Sequence, residues 1–134
     1  MVSLSPCLMF DGVASDAIAL YLKAFPHAVV IERSDYDSRD GSMSGKVRSA
    51  TLSLCGCSVR IIDSPVVHGF AFTPAVSLYV EIADESELFL AYEALAERGT
   101  VLLAIDSYPH SPNYGWITDQ FGVSWQLSQP DVAR

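Results

Sequence analysis

The sequence predicts an α+β fold built from two copies of one unit, strand–helix–strand–strand–strand. Three observations predict it. A strand-like run followed by an amphipathic helix opens the chain and returns past its middle. Leu8 to Phe25 lies over Leu78 to Leu95 at a constant offset of 70 (78 − 8), which sets Leu20 on Leu90, Ala24 on Ala94 and Phe25 on Leu95. Each half then closes on strand-like runs punctuated by a glycine, Gly56 and Gly122; their offset is 66 (122 − 56), so the loops differ in length.

The elements follow in order. Residues 4–10, LSPCLMF, read as the first strand. DGVASDAIALYLKAF then puts Ala17, Leu20, Tyr21 and Ala24 at helical spacing, with Ser15 as the N-cap and Pro26 as the stop. AVVIERSDY is β-branched and reads as a strand, and DSRDGSMSGK as a polar loop. VRSATLSLCGCSVRIID reads as two strands joined tightly at Gly56. The pattern restarts with AVSLYVEI (75–82). DESELFLAYEALAERG is a helix with an acidic start and a stop at Gly99. TVLLAIDSY is a strand, SPN a loop and YGWITDQFGVSWQLSQ a hairpin. One domain over 1–134 is expected, with module one at about 1–65 and module two at about 74–130.

Composition narrows the function. Sixteen acidic residues against 8 basic ones give a formal charge of −8, a field that repels phosphate backbones, so no nucleic acid partner is expected. No apolar run approaches the ~18 residues of a membrane span, and MVSLSPCLMF lacks the basic start of a signal peptide. Three cysteines, Cys7, Cys55 and Cys57, suit free thiols in a reducing compartment. A cytoplasmic protein without a membrane partner is the expectation.

The tandem pattern resembles the vicinal oxygen chelate superfamily of glyoxalases, bleomycin resistance proteins and extradiol dioxygenases. PCLMFDGVASDAIALYLKAFP resembles the opening of its PhnB-like branch, P-x-L-x-F-x-G-x-A-x-x-A. YGWITDQFGVSWQL resembles that branch's closing D-P-F-G-x-x-W-x-I/L. The resemblance implies a glyoxalase-like fold, with curled mixed sheets forming a cup and helices on the convex face. It also implies a homodimer, and in many members a divalent metal held by His and Glu from the first and last strands of each module. Some members carry the label 3-demethylubiquinone methyltransferase-like; no glycine-rich turn suited to a nucleotide-like methyl donor follows a strand here.

Strand alternation assigns the cup-facing side chains. In the first strand Pro6, Leu8 and Phe10 face the helix, leaving Ser5, Cys7 and Met9 to the cup. In the fifth, Val76, Leu78, Val80 and Ile82 face the helix, leaving Ala75, Ser77, Tyr79 and Glu81. In the last, Val123, Trp125 and Leu127 face the helix, leaving Ser124 and Gln126. The hairpin offset carries Gln126 back to Arg60 (126 − 66). The positions matching the superfamily's metal ligands are then Ser5, Arg60, Ala75 and Gln126, none of them His, Asp or Glu. A divalent ion needs several anionic or imidazole donors, and a permanent guanidinium opposes it, so neither metal nor cofactor is expected. Ser5, Cys7, Met9 and Arg60, with Ser77, Tyr79, Ser124 and Gln126, are instead the candidate small-molecule-binding residues. Arg60 would favour a carboxylate or phosphonate, while the plain alternative has Gln126 only satisfying Arg60 or a backbone group.

Other residues carry weaker readings. Cys55 and Cys57 read as packing residues at a tight turn. His27, His68 and His110 lie in loops, His110 nearest the final hairpin. Asp63 ends a strand and is either a base or a turn cap. Trp116, Phe121 and Trp125 read as core. The leading function is a metal-free small-molecule-binding protein. The alternatives are a metal-dependent lyase, isomerase or dioxygenase, an acid–base enzyme using Asp63, Glu81 or His110, and a dimeric scaffold. Pairing of chains would cover the apolar edge of LSPCLMF.

Overall fold

The computed structural model describes residues 1–131. Two compact units emerge, Met1–Gly69 and a second from Phe70 onward. The first runs β1 (Cys7–Phe10), α1 (Ala14–Ala24), β2 (Val29–Asp35), a 3₁₀ helix (Ser38–Met43), β3 (Val47–Leu54) and β4 (Cys57–Asp63). The second runs β5 (Ser77–Glu81), α2 (Glu85–Ala96), β6 (Thr100–Tyr108), β7 (Ser111–Thr118) and β8 (Ser124–Ser128). The strand orders are β1-β4-β3-β2 and β5-β8-β7-β6, one topology used twice. In each sheet the first and last strands pair in parallel and the remaining pairs are antiparallel.

One face of each sheet is apolar because its strands alternate. Leu8 and Phe10 of β1, Ala50, Leu52 and Leu54 of β3, and Val59 and Ile61 of β4 are buried with Ala17, Ile18 and Tyr21 of α1. In the second unit Val80, Ile117, Trp125 and Leu127 are buried with Leu88, Ala91 and Leu95 of α2. Each such large side chain contributes about 1.5–3 kcal/mol by leaving water. α1 packs on β4, and α2 on β7 and β8. Among the described residues of each unit, the opposite face of the sheet carries no helix of that unit.

Several local expectations shift. β1 begins at Cys7, so Ser5 precedes the strand, and β5 begins at Ser77, leaving Val76 exposed. Ser111-Pro112-Asn113 is the start of β7 and not a loop; the Ser111 hydroxyl is buried beside the carbonyls of Asn113 and Gln129, at 2.6 and 2.7 Å. Ser15 is not the cap of α1. Val13 holds that position without a side-chain bond, and the orphan N–H of Ala14 donates to Asp63 Oδ1 at 2.9 Å. Asp63 Oδ2 accepts from the Val47 N–H at 3.0 Å. The buried carboxylate thus ties the end of β4 to the start of α1 and the start of β3. α2 is capped locally, the Asp84 side chain accepting from the N–H groups of Ser86 and Glu87.

Candidate functional site

The uncovered face of the first sheet is set by ladder register. Cys7 stands beside Arg60, and Arg60 beside Thr51, so the three share one face. Met9 and Ile62 extend it by one step along the paired strands. Arg60 is exposed, and among the described residues of its unit it has no ion pair or side-chain hydrogen bond.

The helix-free face of the second sheet is more elaborate, and Tyr114, Ser124 and Ser128 on it are buried. Ser77 pairs with Ser124 and Tyr79 with Gln126 across β5 and β8, while Trp116 and Tyr114 of β7 flank Gln126 and Ser128. The side chains are wired together. The Trp116 Nε1–H donates to Ser124 Oγ at 2.8 Å, and that hydroxyl lies 2.7 Å from the Ser77 hydroxyl. The Tyr114 hydroxyl donates to Gln126 Oε1 at 2.6 Å. That bond fixes the amide orientation and leaves the Gln126 NH2 group without a partner among the described residues. Tyr108 and His110 meet the Tyr114 ring edge-on, with centroids 5.4 and 5.0 Å away. Burial, with Tyr79 and Tyr108 nearby, pushes the Tyr114 phenol above its ordinary value, so at neutral pH it remains a donor. The result is an aromatic surface with one oriented amide donor, and Tyr79 stands 52 % exposed beside it.

Trp116 departs from its sequence reading. It is half-buried on the uncovered face and not in the core, whereas Trp125 is fully buried with its Nε1–H on Asp119 Oδ2 at 3.0 Å. Gly115 explains the difference. A Cβ there would come within 2.8 Å of Ile105 and 3.1 Å of Tyr92, so those side chains fill the helix side and the large aromatic goes to the other. Cys55 and Cys57 also depart, being exposed at the β3–β4 turn and not packed. His27 and His68 are exposed, His68 lying 2.9 Å from the Ser64 hydroxyl. Asp63 is enclosed by the two backbone donors described above, so it does not serve as a solvent-facing base.

The register also bears on the internal alignment. With the hairpins superposed at 66 (126 − 60), the rung Cys7↔Arg60 falls on Tyr79↔Gln126, and the first strands then superpose at 72 (79 − 7) and not 70. The counterpart of Ser5 is therefore Ser77 and not Ala75, which lies exposed before β5. The shift is even, so the face assignments stand. With Ser77 in place of Ala75, the ligand-matching set of Ser5, Arg60, Ser77 and Gln126 still offers no carboxylate or imidazole, and the Gln126 oxygen is engaged by Tyr114. Among the described residues no three His, Cys, Asp or Glu side chains are grouped for an ion. These donors do not fit the divalent metal of the superfamily.

Comparison with known proteins places this geometry. A family model described as 3-demethylubiquinone-9 3-methyltransferase matches residues 2–128. An uncharacterized Mycobacterium tuberculosis protein, Rv0887c, is 31 % identical over 136 residues, spanning 96 % of this chain and 74 % of that protein. A solved Bacillus cereus structure described as PhnB protein and as a 3-demethylubiquinone-9 3-methyltransferase is 40 % identical, with a TM-score of 0.88 over 96 % of this chain and 99 % of its own. The fosfomycin resistance protein FosX of Listeria monocytogenes shares the fold at 13 % identity, with a TM-score of 0.68 over 98 % of this chain and 96 % of its own. The matched motifs, the duplicated topology and these likenesses agree: the chain belongs to the family described as 3-demethylubiquinone-9 3-methyltransferase, is PhnB-like, and has the glyoxalase fold, consistent with the vicinal oxygen chelate superfamily.

Proposed function

We propose that the two modules act as one glyoxalase-like domain over 1–134 that binds a small organic molecule without a metal. The observation that carries this reading is the second sheet's uncovered face. There Tyr114 holds the Gln126 oxygen, which leaves the amide N–H groups without a partner among the described residues, and the rings of Tyr108 and His110 pack on Tyr114. A flat or apolar body with one hydrogen-bond acceptor matches that surface. Ser77, Ser124 and Trp116 form its polar floor. On the first sheet, Arg60 beside Cys7 and Met9 favours a carboxylate or phosphonate group, with Ser5 just ahead of the strand.

Trp116 reports on the proposal, since it is one of only two tryptophans and the other is buried. Benzoate and phenylphosphonate titrated into the protein should change its fluorescence saturably. Trp116→Phe should remove the optical signal, and Gln126→Leu should weaken binding in calorimetry by about tenfold, the loss of one hydrogen bond to a charged acceptor. Absence of saturable binding of either probe to natively folded protein would refute the reading.

The protein is further proposed to be a cytoplasmic homodimer. Its three cysteines are free and exposed, which suits a reducing compartment. Among the described residues no helix is long and apolar enough to cross a membrane. Edge strands β2 and β6 expose apolar side chains, with Ile31 59 % and Leu103 41 % accessible, and a second chain would cover them.

A further inference from the structure

Leu54 pairs with Cys57, so Cys55 and Gly56 alone form the β3–β4 loop, at φ 51° and 77°. Two successive left-handed residues make the turn that matches strand twist, and a non-glycine residue there is uncommon. Both cysteines are exposed, and neither has a disulfide partner. Two Cα–Cα steps of about 3.8 Å, folded by the turn, keep their Cα atoms within about 7 Å, close to the span a disulfide bridges. The thiols also sense each other: burial, and then the charge of Cys57, raise the Cys55 thiol above its ordinary value. The Cys57 sulfur sits 3.6 Å from the Ser58 carbonyl at the open end of β4.

We propose that Cys55 and Cys57 form a redox-active dithiol that exchanges with low-molecular-weight disulfides, separately from the ligand-binding faces. The Cys57 thiolate attacks one sulfur of the disulfide RSSR, forming a Cys57–SR mixed disulfide and expelling RS⁻. Cys55 then gives its proton to solvent and attacks the Cys57 sulfur. The Cys55–Cys57 bond forms and the second RS⁻ leaves. The dithiol loses two electrons and two protons, and RSSR becomes two RSH. The ring closed over a single glycine is strained, so excess low-molecular-weight thiol RSH reduces its disulfide again by the reverse exchange, regenerating RSSR, and the pair cycles.

The test uses the full chain, reduced, desalted and exposed to bis(2-hydroxyethyl) disulfide, a neutral probe that the protein's negative charge does not repel. Intact mass and peptide mapping should show loss of two hydrogens and a link between Cys55 and Cys57. Cys55→Ser should stop at the mixed disulfide on Cys57, and Cys7→Ser should close the bridge as the wild type does. Near-UV circular dichroism confirms that each variant is folded. Persistent mixed disulfides on both turn cysteines, links between chains through them, or unreacted thiols would each overturn the proposal. Loss of probe-ligand binding is no part of the expected result, so this test stands or falls independently of the binding proposal.

Discussion

Replacing Asp63 by Asn should unfold the first module far more readily than any exposed substitution. The wild-type carboxylate is fully buried and accepts from Ala14 N–H at 2.9 Å and Val47 N–H at 3.0 Å. Hydrogen bonds to a charged group contribute about 1.5–3 kcal/mol each. An asparagine keeps one acceptor oxygen and turns an NH2 group toward the other donor, so one bond is lost and two donors face each other. Losing the negative charge at the start of α1 removes roughly another 0.3–1 kcal/mol. Together these give about 2–4 kcal/mol, a large share of the 5–15 kcal/mol that holds a typical domain. Urea unfolding followed by circular dichroism at neutral pH reads it: with a slope of about 1–3 kcal/mol per molar, the midpoint should fall by roughly 2 M. A loss below about 1 kcal/mol would refute the account. It would show that the carboxylate is not the tie between β4, α1 and β3, and would return Asp63 to the list of candidate acid–base groups.

Other outcomes follow from the same geometry. Trp125→Ala should cost about 3–5 kcal/mol, and Gln126→Ala only about 1–2 kcal/mol from the stranded Tyr114 hydroxyl; reversed costs in denaturant titrations would mean a strand register wrong by one residue. Tyr114→Phe should lower stability by about 1 kcal/mol at neutral pH. The raised phenol pKa stabilises the fold fully below the ordinary tyrosine value of 10.0, and that contribution is lost as pH climbs through the folded value. The gap between wild type and Tyr114→Phe should therefore narrow in urea midpoints taken above pH 10.0, and a constant gap would contradict the assignment. Light scattering should give about twice the 14.6 kDa chain mass, falling to one chain in the doubly substituted Ile31→Lys, Leu103→Lys protein; a wild-type mass of one chain would refute pairing.

Most of the fold was legible because strand periodicity and turn chemistry are local. The Val59/Arg60/Ile61 and Trp125/Gln126/Leu127 alternations face as the sequence implies, and Gly56 and Gly122 both take positive φ at their turns. What the sequence concealed depended on distant partners. The cap of α1 comes from Asp63, 49 residues from Ala14, so no local motif announces it. The run Tyr114-Gly115-Trp116-Ile117 is apolar at both parities, and only the approach of Tyr92 and Ile105 to Gly115 decides which side receives the indole. Val76 looks like strand, but the β5 ladder starts at Ser77, opposite Ser124. Tyr114 and Tyr108 escaped notice as site residues, and His110 was named only as a loop histidine near the final hairpin, because the fold, not sequence spacing, brings Tyr114 to Gln126 and the other two rings to Tyr114.

The parallel pairing of first and last strands governs how each module is made. Cys7 must find Arg60, 53 residues on (60 − 7), and Tyr79 must find Gln126, 47 residues on (126 − 79). Closing such loops costs roughly 3–4 kcal/mol of chain entropy, whereas the β3–β4 hairpin closes over two residues. Hairpins therefore form first and β1 and β5 dock last. During synthesis at about 5–20 residues per second, β1 emerges and then waits about 3–10 s for β4 to be made. Throughout that interval Leu8 and Phe10, both buried in the finished module, are displayed to water and to chaperones.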